Sequence, residues 1–154
     1  MSPALMFLAL TAAQATEWTP SETDIAVHKA LSARHDDTAC TEIAAMSEDS
    51  LTTFTNIVAH ATQPPWAAMR AARCITELHA EAAQDEITRW VTDPGLAGLR
   101  LQTLNRIDKL PEAVAAHVAN AALAAGHEDV DPAQLIATDP RLVGVLTVPQ
   151  PETP

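Results

Sequence analysis

Between Pro65 and Gly126 apolar side chains recur every three to five residues, the spacing of one helix face. Over 65–78 they are Trp66, Met69, Cys74 and Leu78, behind a Gln63-Pro64-Pro65 break whose last proline suits the first turn of a helix. Over 81–91 Ala83, Ile87, Trp90 and Val91 share one face, and Glu81, Asp85, Glu86 and Arg89 lie elsewhere. Asp93-Pro94 then caps and opens a third helix with Leu96, Leu99, Leu104 and Ile107 as its stripe. Pro111 opens a fourth, which buries Val114, Val118 and Leu123 and ends at Gly126. The pattern predicts four amphipathic helices in two pairs.

The two pairs align. Met69-Arg70 matches Leu99-Arg100 and Cys74 matches Leu104 at an offset of 30; Ile87 matches Val118 at 31, one residue being added in the inter-helix turn. A helix–turn–helix period near 30 is the signature of stacked hairpins, each too small to bury its apolar face alone. The Asp-Pro turn, the apolar-Arg pairs and the small residues that follow resemble the HEAT repeat family, clearest over 65–126. The first copy departs from it, with Gln-Pro-Pro where Asp-Pro is usual. The resemblance implies an all-α fold, a short right-handed α-solenoid of about three stacked hairpins, with Arg70 and Arg100 as packing residues between repeats. The other reading of this pair, two arginines gripping an anion, stays open.

Upstream, Ser21 with Asp24 three residues later reads as a capped helix start before Ile25, Val27, Ala30 and Leu31. Ala39–Met46 and the well-patterned Leu51, Phe54, Ile57, Val58 and Ala61 predict two more helices. Downstream, Asp131-Pro132 and Asp139-Pro140 start short elements, and 142–148 reads as helical or extended. Residues 1–15 stand apart: an apolar run from Ala4 to Ala13 before Ala13-Gln14-Ala15 has the order of a secretory signal peptide, although its first residues carry no Lys or Arg. The alternative is an N-terminal helix of a cytoplasmic protein. The expected layout is thus a signal peptide (1–15), one HEAT-like domain (16–146) and a Pro-rich tail (147–154).

Composition sharpens this picture. Aromatics are only 3% of the chain, so the core has to come from Ala, Leu, Ile and Val with three Trp as large plugs. Net charge is −11, split as −6 over 17–64, −1 over 65–125 and −4 over 126–154. Lys and Arg form no stripe, which disfavours nucleic acid and anionic membrane surfaces. No segment is long and apolar enough for a membrane span. Cys40 and Cys74 fall in different helices; export makes a Cys40–Cys74 disulfide the default, and two separate buried thiols are the alternative.

Sites of chemistry are sparse. The histidines at 28, 35, 60, 79, 117 and 127 include no i,i+3 or i,i+4 pair, so the sequence predicts no metal site and no cofactor. No serine has a base nearby in sequence, no glycine-rich phosphate loop exists, and no catalytic residue is predicted. The reading that results is a non-enzymatic protein-binding or scaffold module of the cell envelope, its protein partner unidentified, with Trp66 or Trp90 as a candidate partner contact if either lies outside the core. Two alternatives are a metal- or small-ligand-binding helical protein using its acidic ends and histidines, and a piece stable only within a larger assembly.

Overall fold

A computed structural model describes residues 17–34 and 37–147 of the 154-residue chain. The predicted signal peptide, His35-Asp36 and the tail beyond Thr147 lie outside the described residues. Among those described, the fold is all-helical, with no strand: α1 (Glu22–Ser32), α2 (Cys40–Ala44), α3 (Ser50–His60), α4 (Pro65–Leu78), α5 (Gln84–Thr92), α6 (Ala97–Leu104), α7 (Glu112–Ala125) and α8 (Pro132–Thr138). Three 3₁₀ turns, Pro94–Leu96, Ile107–Lys109 and Pro140–Leu142, fill the joints.

Local chemistry explains most boundaries. Ser21 caps α1 in a full capping box: its hydroxyl accepts from Asp24 N at 3.1 Å, and Asp24 Oδ2 accepts from Ser21 N at 2.9 Å. Asp49 caps α3 through Thr52 N, and Asp131 caps α8 through Ala133 N. Gly126 ends α7 at φ 73°, in the left-handed region where a Cβ is penalised.

Three expected helices are shorter. α5 begins only at Gln84, because residues 80–83 form a turn. α2 keeps only Cys40–Ala44, without a side-chain cap, because Ala45 and Met46 belong to a turn. The expected single helix over 94–107 is broken into a 3₁₀ turn, α6 and a second 3₁₀ turn. Asp93 Oδ1 accepts from Gly95 N at 2.8 Å, tightening the first turn, and two glycines weaken helix propagation there.

The core runs through the described helices: Leu31, Phe54, Ile57, Ile75, Ile87, Trp90 and Val118 are all fully buried. The aligned positions Ile87 and Val118, and likewise Cys74 and Leu104, are all in it. Helix pairing differs from the sequence reading. The closest backbone neighbour of α4 is α3, and those of α5 are α6 and α7; α4 and α5, expected as one hairpin, approach each other only sparsely. α4 buries Ala67, Ala71 and Ala72, and small side chains let axes come near one another. Among the described residues, 140–147 form a 3₁₀ turn and a further hydrogen-bonded turn, with no strand. Thr147, assigned above to the tail, is held by Asn120 of α7, whose Oδ1 accepts from Thr147 N at 2.7 Å.

Candidate functional site

The C-terminal end of α1 positions the site. A helix end leaves carbonyls without intrahelical partners. Here α4 supplies the donors, from two residues one turn apart. Trp66 Nε1 donates to Ser32 O at 3.0 Å, and Arg70 donates to Leu31 O and Ala33 O at 2.9 Å each. Positive charge at a helix C-terminus is also favoured by the macrodipole.

Beyond this plug the surface opens into a cleft of about 760 Å³ between α1, α2 and α4. Its floor is the Cys40–Cys74 disulfide, which joins α2 to α4 with the Cα atoms 5.1 Å apart. Ala33 and Ala39 add apolar surface, and Ile43, itself buried, packs beneath them. Arg34 lies over the Trp66 ring, its Cζ 5.0 Å from the centroid. On the far side Arg73 Nε donates to Glu77 Oε1 at 2.7 Å, and the same oxygen accepts from Arg106 at 2.9 Å.

The sequence-predicted residues divide around this cleft. Cys40, Cys74, Trp66 and Arg70 line it together. Trp90 does not: its side chain is fully buried, with Nε1 donating to Glu86 Oε1 at 3.0 Å, so it is core and offers nothing to a partner. Arg100 is also elsewhere. It is buried beside the loop after α7, where Nε donates to both carboxylate oxygens of Asp129 at 3.1 Å and a terminal nitrogen donates to Asp93 O at 3.2 Å. That guanidinium holds the Asp129 carboxyl below its ordinary range.

Two pairings escaped the sequence. Ser50 Oγ sits 2.9 Å from His79 Nε2, although the residues are 29 apart. The bond ties the first turn of α3 to the C-cap of α4, and no local spacing announces it. Arg34 over Trp66 is equally invisible, since an arginine just past a helix end looks solvated.

Besides His79, two histidines have separate local partners. His127 Nε2 donates to Thr92 O at 2.9 Å, and His60 stacks on Trp18 with centroids 5.2 Å apart. Among the described residues no group of three or more His, Cys, Asp or Glu side chains converges, and no helix is long and apolar enough to cross a membrane. Comparisons with protein-family models, with curated proteins and with solved structures return no match.

Proposed function

We propose that the chain is a non-enzymatic protein-binding module, built as a short HEAT-like stack of helices and exported to the cell envelope. The observation that carries this reading is the cleft over the disulfide, where an aromatic ring, a stacked guanidinium and apolar surface meet. Such mixtures of Trp, Arg and apolar area are what binding hot spots are made of. The floor is covalently tied, so little ordering entropy is lost when a partner docks. The Cys40–Cys74 bond also supports export, since disulfides persist in oxidising compartments. The aligned Arg70 and Arg100 support the repeat reading, because each donates to the carbonyl of a helix C-cap, Ala33 and Asp93 respectively.

The test uses the full mature chain, oxidised and immobilised, against an envelope extract of the native host. Specific retention of a protein that purified wild-type chain binds again, and that Trp66→Ala fails to bind, is the expected result. Equal retention by wild type and Trp66→Ala removes the cleft from the function. Recovery of the chain only from the cytosol, full-length and with two free thiols, overturns the export reading.

A further inference from the structure

A helical segment uses its backbone N–H and C=O groups on itself, so a side chain that binds backbone needs a non-helical segment. Asn120 of α7 binds one. Its Nδ2 donates to Val145 O at 3.0 Å, and its Oδ1 accepts from Thr147 N at 2.7 Å. Thr147 Oγ1 donates to the same oxygen at 3.0 Å. One carboxamide thus satisfies a carbonyl and the amide two residues further on, with a hydroxyl as an added contact. The two backbone bonds involve no other side chain, so any chain of the same local shape meets the same demand.

The segment that fills this point is lightly held. Leu142 is buried, and the chain then turns at Gly144, φ 80°. Past that turn Val145 and Thr147 are exposed, Leu146 is half-buried, and the bonds to Asn120 face solvent. Exposed hydrogen bonds with little apolar burial mark the low-stability end of a fold. Beside the segment lies a hollow of about 320 Å³ lined by Ala113, Ala116, Leu142 and Val145, with Glu112 and Arg141. Those two charges are opposite in sign, and the carboxamide carries none, so the surface selects neither an anion nor a cation. It fits backbone: a C=O and an N–H two residues apart, the second residue bearing a hydroxyl and following an apolar side chain, as in Leu146-Thr147.

We propose that Asn120 is the docking point for a non-helical segment of a partner polypeptide carrying an apolar residue followed by Thr or Ser, and that Val145–Thr147 fills it in cis as an intramolecular competitor. The site shares no lining residue with the cleft over the disulfide, so the inference goes beyond the reading above and is tested apart from it. A tethered occupant competes at an effective concentration on the order of millimolar, so an outside segment binds well only once the tethered one is lifted.

The experiment titrates the ¹⁵N-labelled, oxidised full chain with N-acetyl-Val-Gly-Val-Leu-Thr-amide, a peptide that repeats residues 143–147. The reporters are the Asn120 side-chain amide resonances, assigned with Asn120→Asp. Thr147→Pro removes both the N–H and the hydroxyl that hold the segment. Thr147 is exposed, so the melting temperature should stay close to that of the wild type. In that variant the peptide should shift the Asn120 resonances saturably and bind about tenfold tighter than in the wild type, or better, because the competitor no longer closes the site. A peptide N-methylated at its Thr, whose nitrogen cannot donate, should bind about tenfold more weakly. In the wild type, millimolar peptide should speed hydrogen exchange at the Thr147 amide, a measurement that decides the matter even if Thr147→Pro fails to fold. Equal binding by Thr147→Pro and wild type, equal binding of the N-methylated peptide, or shifts confined to other parts of the chain each overturn the proposal. So does Thr147 exchange that is indifferent to the peptide, which leaves Asn120 as a cap on the end of the domain and nothing more. A captured protein that depends on Trp66 keeps the cleft reading in place whatever the peptide does.

Discussion

Arg70 and Arg100, 30 residues apart in sequence, perform one task at two helix ends. Arg70 donates to the C-cap carbonyl of α1, Ala33, and Arg100 to that of α5, Asp93. An aromatic N–H completes each end: Trp66 on Ser32 O, and His127 on Thr92 O. Carbonyls left open at a helix end must find donors, and a guanidinium serves several at once while opposing the dipole. Their surroundings differ. Arg100 is buried and paired with Asp129, whereas Arg70 lines the open cleft.

Removing Arg100 should therefore be costly. Arg100→Ala strips donors from Asp93 O and Asp129 and leaves a void, an expected loss of about 2–3 kcal/mol. Asp129→Asn should destabilise in the same direction, by withdrawing the countercharge from a guanidinium that is 7% exposed. Urea melts of both variants check this; a wild-type midpoint for Arg100→Ala contradicts it.

The disulfide closes a loop with a sequence separation of 34. In the chain-entropy model that stabilises by roughly 3–4 kcal/mol. α2 has five residues and no side-chain cap, too short to persist unsupported. The Cys40→Ala, Cys74→Ala double variant is expected to melt well below the oxidised wild type, with the largest rise in amide exchange over 37–46. Uniform exchange across the chain would show that α2 is held by packing instead.

Trp90→Ala should be the most damaging of the tryptophan truncations. Its side chain is fully buried, and emptying such a position costs about 3–5 kcal/mol. Trp66 is half-buried at the cleft, and Trp66→Ala should cost less than half as much. Calorimetric melts of the two variants rank them; an unchanged melting temperature for Trp90→Ala would remove it from the core.

Acid should unfold the chain through specific carboxylates. Asp49, Glu86, Asp129 and Asp139 are all held below their ordinary values, 3.8 for Asp and 4.5 for Glu, chiefly by side-chain hydrogen bonds from Thr52, Arg89, Arg100 and Arg141. A lowered folded pKa means that the unfolded chain binds more protons in acid. The stabilisation is complete above those ordinary values and is lost as pH falls through the lower folded ones. Neutralising a net charge of −11 acts the other way, by relieving repulsion, but salt screens that term at physiological ionic strength. Denaturant midpoints at 0.15 M salt should hold steady from neutrality down to about pH 5 and then fall. Arg141→Gln should flatten part of the fall, because Asp139 is buried against that guanidinium. A midpoint that rises on acidification would mean that repulsion dominates.

The helices were legible because their signals are local. A 3.6-residue stripe marks the buried face of α5 and α7, whereas in α4 the expected Leu78 is exposed and Ala67, Ala71 and Ile75 are buried instead; Ser21, Asp93, Pro65 and Gly126 act on backbone groups within a turn of themselves. The sequence also determined the core identity of Ile87, Val118 and Leu104, the charge, and the two cysteines available to pair. Partnership between helices was settled only in three dimensions. The α4 face that reads as one side of a hairpin with α5 packs most closely on α3, because mating faces depend on the volumes of Ala67, Ala71 and Ala72 together with what stands opposite. The same holds for the cleft. Arg34 over Trp66 and Ser50 beside His79 join residues 32 and 29 apart, and neither bond leaves a periodic or punctuating trace in the chain. Short-range hydrogen bonds and burial write themselves into sequence spacing; contacts between elements arise from shape, and only the packed structure reveals them.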